Sequence, residues 1–214
     1  MLSRSPSSRR TQVERRNESE QALLDAAARL FARKGINETS LADIGAEAGY
    51  SRGLANHRFG SRAVLVRRLA ARTQRAFVAG LGEPEADVDG IVAVVEAYLG
   101  RVSSGGEEGR AFFVMWGASF AEKAPLRDVF VDDDARFRHG IEALVRSGQQ
   151  RGTIRADADP IGFATVSVAL LRGIGAQVIV DPHGVDLEAA RATCERMVRT
   201  SLAPAPPGQK RRRR

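Results

Sequence analysis

The residues best suited to recognition chemistry lie at 53–57, which read GLANH. Ala55 and Phe59 are four residues apart, so in a helix they would share an inward face. The outward face and its flanks would then carry Gly53, Leu54, Asn56 and His57. Asn can pair with an adenine edge, Leu can cover a thymine methyl group, and Gly permits close approach. This short polar face without acids therefore suits a helix that enters the major groove of DNA.

The elements that would position this face lie within residues 41–60, LADIGAEAGYSRGLANHRFG. Ser40 and Asp43 have the spacing of a capping box, so a first helix should begin there. Gly49 can adopt the left-handed conformation that ends a helix, and Ser51 can cap the next one. The pattern predicts a helix-turn-helix, with the second helix beginning at Ser51.

With the helix before it, this segment resembles the DNA-binding domain of the TetR family of bacterial repressors over residues 20–69. The matching residues are Leu23 to Ala27, Leu30, Phe31, Gly35, Thr39 to Leu41, Asp43, Ile44, Ala48 to Gly53, Phe59 to Arg62 and Leu65. An ordered set across three helices is much more specific than one helix-turn-helix pattern. The predicted DNA-binding residues are Thr39, Ser40, Ser51, Arg52, Gly53, Leu54, Asn56, His57 and Arg62.

The chain departs from the family pattern inside the recognition helix. Asn56 stands where the family commonly has a Tyr that packs on a phosphate, and Ala55 and Arg58 replace a larger apolar residue and an aromatic one. Arg62 replaces the usual Lys at the start of the fourth helix, where the resemblance implies a phosphate contact. The resemblance therefore implies the binding mode but not the operator sequence.

Composition and charge divide the 214-residue chain into four parts. We expect a disordered basic arm at 1–16, a DNA-binding domain at 17–80, a helical effector-binding and dimerisation domain at 81–203, and a disordered basic tail at 204–214. The net charge is +4 over 1–16, +4 over 17–76, −6 over 77–203 and +5 over 204–214. A basic head on an acidic body is typical of a DNA-binding protein. With one cysteine and no apolar leader, a cytoplasmic location is expected.

Helical periodicity continues through the body, and no run of strands is evident, so we predict an all-α fold. Beyond the head helices at 18–34 and 62–80, the predicted helices are 89–102, 109–121, 125–151, 160–180 and 187–202. Arg172 is the only charge in helix 160–180, so we expect that helix to be buried all round and to form a homodimer with the last one. A membrane span is the alternative, but a central Arg and several glycines argue against it and against a membrane partner.

Half of the twelve aromatic residues of the chain lie between residues 112 and 137, in the middle of the body. The candidate ligand-binding residues are Phe112, Phe113, Met115, Trp116, Phe120, Phe137 and His139. They could be ordinary core or the lining of a cavity for an apolar or amphipathic small effector. The family resemblance favours the cavity, because bodies of this family commonly bind small effectors.

The sequence contains little evidence of enzyme activity or metal binding. The three histidines are isolated, and no phosphate-binding loop is present, so we predict no enzyme activity, no metal and no cofactor. Residues 132–134 are three consecutive aspartates, which in a helix point to different faces and suggest a solvated surface. Cys194 is expected to be buried filler. Two rival functions remain: a constitutive DNA-binding regulator without an effector, and a helical lipid- or acyl-binding module.

Overall fold

The structure is a computed structural model that describes residues 12–104, 106–121, 124 and 126–204. In those residues every regular element is an α-helix, so the all-α prediction is confirmed. The helices are α1 (Gln12–Lys34), α2 (Leu41–Glu47), α3 (Leu54–Phe59), α4 (Arg62–Leu81), α5 (Val88–Ser104), α6 (Gly106–Ala118), α7 (Arg127–Arg151), α8 (Pro160–Val180) and α9 (Leu187–Leu202).

Helix α1 begins at Gln12, six residues earlier than the sequence predicted. Residues 12–16, expected to belong to a disordered arm, are helical, whereas 1–11 and the tail at 205–214 lie outside the described residues. No Gly or Pro interrupts residues 12–17, and Glu14 in the first turn suits the positive end of the helix dipole. Once the packed part of α1 has nucleated the helix, each added residue extends it at low cost.

Helix α2 begins at the predicted capping box. Ser40 Oγ accepts from the Asp43 backbone N–H, and Asp43 Oδ2 accepts from the Ser40 backbone N–H, each at 3.1 Å. Gly49 follows with φ +76°, as expected of a residue that ends a helix.

The start of α3 corrects the sequence prediction. The Ser51 side chain does not cap α3; instead the Ser51 carbonyl accepts from the Leu54 backbone N–H at 3.0 Å, and Gly53 is the N-cap. The cause is a close approach to α2, since a Cβ at Gly45 would lie 2.6 Å from the Ser51 carbonyl oxygen. The turn at 51–53 therefore rests on α2 before the chain becomes helical.

Two hydrophobic cores hold the helices together. The first contains Leu23, Phe31, Ile44 and Leu65 of the head together with Met115 of α6. The second joins α5, α7, α8 and α9, and Cys194 is buried in it as expected. The predicted division at residue 81 falls at the end of α4, but the first core crosses it, because α6 packs against α1. The head therefore shares its core with the body.

Helices α4 and α8 each bury one face within the chain. On α4 the buried face includes Val66, which is 1% exposed, and not Val64, which is 38% exposed. In α8 the residues Ala164, Val168 and Leu171 are buried within the chain itself. Within the chain α8 buries one face only, and the opposite side exposes Val166 and Leu170, while Ile161 and Val180 are exposed at the helix ends. Burial on all sides therefore stays a prediction that depends on a partner subunit.

By length and composition alone, α8 is long and apolar enough to cross a membrane, with a mean hydropathy of 1.7 over its best window. Its inner face, however, packs on α5 and α7. Arg172 in the middle of that face forms an ion pair with Asp134 of α7 at 2.8 Å. These contacts are typical of a core helix in a helical bundle.

The aspartates at 132–134 lie on different faces of α7, but they are not all solvated. Asp133 is 1% exposed, and its Oδ1 accepts from Arg136. Its Oδ2 has no hydrogen-bond partner among the described residues. Burial therefore raises the pKa of the Asp133 carboxyl above its ordinary value.

Replacing Asp133 by Asn should raise the melting temperature at neutral pH by roughly 2 to 4 °C, the shift that about 1 kcal/mol produces in a chain of this size. The reason is that Asn removes a buried charge whose second oxygen is unpaired. Because the pKa is raised in the folded state, protonation relieves this cost as the pH falls through that pKa. The advantage of Asn should vanish below the ordinary Asp value of 3.8. Thermal melts at several pH values would measure it.

Asp132→Asn is the matched control, since Asp132 is exposed one residue earlier on the same helix. It should change the melting temperature little at any of these pH values. A lower melting temperature for Asp133→Asn at neutral pH would contradict the assignment of Asp133 as a buried, costly carboxylate.

Candidate DNA-binding surface and body cavity

The exposed face of α3 is the one that the sequence predicted. Ala55 is fully buried and Phe59 is 5% exposed, so they hold the helix to the head core. Asn56 and His57 are exposed, and Leu54 is partly exposed. The residues before the helix are exposed as well, namely Ser51, Arg52 and Gly53, as is Ser40 at the N-terminus of α2. All of these residues are therefore accessible on the head.

Two of the residues predicted to contact DNA make contacts inside the protein. Thr39 is 1% exposed, and its hydroxyl donates to the Gly35 carbonyl at 2.7 Å, so it is a positioning residue rather than a DNA contact. Arg62 Nη1 donates to the carbonyls of Ile36 and Asn37 at 3.0 and 3.4 Å. Both side chains fix the loop between α1 and α2, which sets the position of the α2 N-terminus. Arg62 is nevertheless exposed, so its phosphate contact stays a prediction.

Helix α3 is braced against α1 through Arg58. Arg58 Nη2 donates to Ser19 Oγ at 2.8 Å, and Ser19 Oγ donates to the Arg16 carbonyl at 2.9 Å. The Arg68 guanidinium also lies 5.6 Å from the centre of the Phe59 ring, within cation–π range. Arg58, which replaces an aromatic residue of the family pattern, thus gives the short helix a polar anchor.

Helix α2 is fastened to α1 by ion pairs. Arg29 and Arg33 bind Glu47 at 3.1 and 2.9 Å, and Lys34 binds Asp43 at 3.2 Å. Hydrogen bonds from the two arginines lower the pKa of Glu47, and the N-cap backbone N–H and then Lys34 lower that of Asp43. Both carboxylates of α2 are therefore ionised and paired, which limits their repulsion of phosphates.

The N-terminal turns of α1 add basic side chains beside the recognition helix, at residues that the sequence predicted to belong to a disordered arm. A concave surface there is lined by Gln12, Val13, Arg15, Arg16, Leu54, His57 and Arg58. The sequence could have indicated this extension, because residues 12–17 contain no Gly or Pro that would end a helix, and α1 therefore continues next to α3.

A cavity of about 250 Å³ lies in the body, between α4, α5, α6, α7 and α8. Its lining is Thr73, Gln74, Tyr98, Arg101, Val102, Ser104, Glu108, Gly109, Phe112, Phe113, Phe137, Arg172 and Ile179. Three of the predicted ligand-binding residues, Phe112, Phe113 and Phe137, belong to it. The polar residues of the wall were missed, because they lie on helices far apart in sequence.

The other four candidates do not line this cavity, which corrects the prediction. Met115 is fully buried in the core shared with the head. The Trp116 indole N–H donates to Asp134 at 3.3 Å. Phe120 is 62% exposed because α6 ends at Ala118. His139 has a side chain 78% exposed, and its Nδ1 lies 3.5 Å from a carboxylate one turn along α7.

Arg172 is a buried cation on the cavity wall. Its Nε and Nη2 donate to Asp134 Oδ1 at 3.1 and 2.8 Å, and its Nη1 donates to Tyr98 Oη at 3.2 Å. The guanidinium carbon lies 4.5 Å from the ring centre of Phe112 and 5.8 Å from those of Tyr98 and Phe137. Burial opposes the charge, but Tyr98 and Asp134 outweigh it and keep the pKa of Arg172 raised. Burial raises the pKa of Tyr98.

A second arginine links the cavity to the head. Arg72 of α4 binds Asp25 of α1 at 2.6 Å and Glu108 of α6 at 3.3 Å, and it also donates to Gln21. Glu108 itself lines the cavity. Three helices therefore meet at one guanidinium, which is 18% exposed.

Comparisons with known proteins agree with this arrangement. Residues 23–69 match the family model for bacterial regulatory proteins of the tetR family. Residues 88–203 match the model for the C-terminal domain of BetI-type transcriptional repressors. No curated protein matches the chain.

Solved structures share the fold. A TetR transcriptional regulator from Chloroflexus aurantiacus has a TM-score of 0.75 at 23% identity, with 89% of this chain and 99% of that chain covered. A regulator from Saccharomonospora viridis in complex with choline has a TM-score of 0.72 at 26% identity, covering 87% and 98%. The SmeT–triclosan complex has a TM-score of 0.75 at 20% identity, covering 90% and 96%. With family models matching both head and body, the chain belongs to the TetR family of bacterial transcriptional regulators, and it is a regulator rather than an enzyme.

Proposed function

We propose that the protein is a cytoplasmic homodimeric repressor that binds a palindromic operator and is released by a small molecule in the body cavity. Residues 17–80 would be the DNA-binding domain, extended by the N-terminal turns of α1, and 81–203 the effector and dimerisation domain. The observation that carries this proposal is the exposed face of α3, which has no acidic residue and is supported by α1. The head that presents this face shares a hydrophobic core with the body, and the body holds the cavity.

DNA recognition would divide between bases and phosphates. Asn56 and His57 are exposed on α3 and Leu54 is partly exposed, and these side chains would read base edges in the major groove, with Arg52 beside them. Arg16 lies beside the same helix and would contact the phosphate backbone. Ser40, at the α2 N-terminus, would bind a phosphate there.

Substitutions should separate these roles. Asn56→Ala or His57→Ala should cost about 1 to 3 kcal/mol at particular base pairs, because each removes a base contact. Arg16→Ala should weaken all sequences alike and reduce the salt slope by about one, because it removes one phosphate contact. Fluorescence anisotropy against operator variants at several salt concentrations would measure both effects.

Two further variants complete this experiment. Gln150→Ala, an exposed amide on α7, is the control and should leave operator affinity unchanged. Arg62→Ala should lower both operator affinity and melting temperature, since it loses the bonds to the loop before α2. Unchanged sequence preference in the double variant Asn56→Ala, His57→Ala would refute the proposed readout.

The outer face of α8 supports a dimer. Val166 and Leu170 of α8 are 54% and 37% exposed, and Met197 of α9 is 44% exposed. They border an apolar groove between α8 and α9 that reaches inward to Cys194 and Val198. A two-fold axis here would pair the same groove with itself and set two α3 helices about 34 to 36 Å apart, or a multiple, as half-sites require.

Leu170→Asp should convert the dimer to a monomer at micromolar concentration, because it would place an unpaired carboxylate in an apolar interface. The same variant should lose affinity for the full operator. Sedimentation velocity would report the oligomeric state. Val131→Asp is the matched control, since Val131 is 55% exposed on α7, away from this groove. A wild-type chain that sediments as a monomer would contradict the proposal.

The cavity supports a small-molecule response. Solved structures of the same fold include complexes with choline and with triclosan, which favours a small-molecule ligand for this chain as well. Here the cavity wall includes Thr73 of α4 and Phe112, which also belongs to the core shared with the head. A ligand that favours the DNA-incompetent arrangement could shift the head through these contacts. A coupling of about 1 to 3 kcal/mol would lower operator affinity 5- to 150-fold.

Filling the cavity should remove this response. Gly109 lines the cavity, and a Cβ there would meet nothing within 4 Å, so Gly109→Leu should occupy ligand space without a clash at its Cβ. Operator affinity should persist, whereas compounds that raise the melting temperature of the wild type should lose their effect. Gly117→Leu, on the same helix with equally free space, is the control.

The rival functions predict other results. A constitutive regulator would bind the operator but show no ligand that changes its affinity. A lipid- or acyl-binding module would bind ligands in the cavity but show no preferred DNA site in footprinting.

A further inference from the structure

Three aromatic rings of the cavity wall already surround a cation of the protein itself, the Arg172 guanidinium. Arg172 lies within cation–π distance of Tyr98, Phe112 and Phe137, and closest to Phe112 at 4.5 Å. An aromatic cage of this kind is the usual site for a quaternary ammonium ligand. In this chain a second cation would compete with the guanidinium for the same rings and would be repelled by its charge.

Among the described residues, Arg101 is the charged residue of the cavity lining that has no ion pair. It lies in the last turn of α5 and is half-buried. Within the described part of the chain, no carboxylate lies within ion-pair distance of Arg101. The α5 C-terminus offers only about half a negative charge. By contrast, Arg172 is paired with Asp134, and Glu108 with Arg72.

Arg101 places a positive charge beside apolar surface on the cavity wall. Asp134 pairs with Arg172, and Glu108 shares the Arg72 guanidinium with Asp25, whereas Arg101 has no ion pair among the described residues. The same wall presents the apolar side chains of Phe112, Phe113 and Ile179. Such a wall complements a molecule with a negative head and an apolar body. At about 250 Å³ the cavity lies just below the usual range of roughly 300 to 1,000 Å³ for ligand pockets, so the molecule must be small.

We propose that the effector is a small amphipathic carboxylate, with an aryl or short acyl body, whose carboxylate binds Arg101 and whose body packs on the aromatic wall. This inference rests on the proposed role of the cavity as the effector site. It separates this protein from the choline-bound relative of S. viridis, because the cage that could accept an ammonium group is filled by Arg172.

The test compares matched probes on the full-length protein by isothermal titration calorimetry. The probes are benzoate, phenylacetate, 3-phenylpropionate and hexanoate, each with its neutral amide, together with 3-phenylpropylammonium and choline. At least one carboxylate should bind roughly 10- to 100-fold more tightly than its amide, because a charge-assisted hydrogen bond to Arg101 is lost in the amide. The two cations should bind most weakly. If no carboxylate binds more tightly than its amide, the proposal is overturned.

Substitutions at Arg101 test whether the ligand carboxylate binds there. Arg101→Glu should abolish the preference for the carboxylate and favour 3-phenylpropylammonium, and Arg101→Gln should make carboxylate and amide equal. Arg110→Glu is the control, because Arg110 is an exposed residue of α6 that does not line the cavity. Melting temperatures would verify that the variants fold. A carboxylate preference that survives Arg101→Glu would overturn the assignment.

Operator binding, measured on the same samples, keeps this inference distinct from the proposed function. If carboxylates bind through Arg101 but leave operator affinity unchanged, the ligand class stands and the effector role fails. If an amide or choline binds best and releases the operator, the effector role stands and the ligand class fails.

Discussion

The apolar contact between α1 and α6 is the constraint on which the rest of the structure depends. Through this contact the head and α6 of the body share one hydrophobic core. Met115 of α6 is fully buried among head residues in that core. Phe112, three residues earlier, belongs both to that core and to the cavity wall. Because packed interiors resist small displacements, α6 cannot move at the cavity without moving against α1. The Arg72 cluster reinforces this link, since one guanidinium binds α1 and α6 at once. The connection between the two ends of the protein is therefore packing as much as the covalent path through α4.

Arg172 and Asp134 form the second fixed point. Burying an ion pair costs desolvation free energy that its attraction often does not recover, so such a pair is weak evidence for stability. Here it is satisfied on several sides, with Tyr98 and Trp116 adding hydrogen bonds to the two partners. The pair aligns α7 with α8 and places a cation among three rings. In the proposed effector site this cation would oppose a positively charged ligand.

What the sequence could predict was local. The capping box at Ser40 and the bounds of α8 and α9 depend on neighbouring residues, and the structure has them as predicted. The start of α3 depends instead on the packing of Ser51 against Gly45 of α2, and the internal bonds of Arg62 depend on the loop after α1, 26 residues earlier in the chain. The cavity was predicted only in part, because its phenylalanines lie within residues 112–137, whereas Tyr98 and the charged residues of the wall come from α5, α6 and α8, whose approach no periodicity reveals.

Helix α8 shows how one element can serve two sites with opposite faces. On its inner face Gly175 lets Phe113 approach so closely that a Cβ would overlap the ring, so α8 and the cavity wall are in firm contact. On its outer face Val166 and Leu170 form the proposed dimer surface. A ligand that displaces Phe113 must therefore press on the helix that would carry the two-fold axis. In a dimer the same displacement would act on both protomers, and the spacing of the two recognition helices would change through α8 as well as through α1.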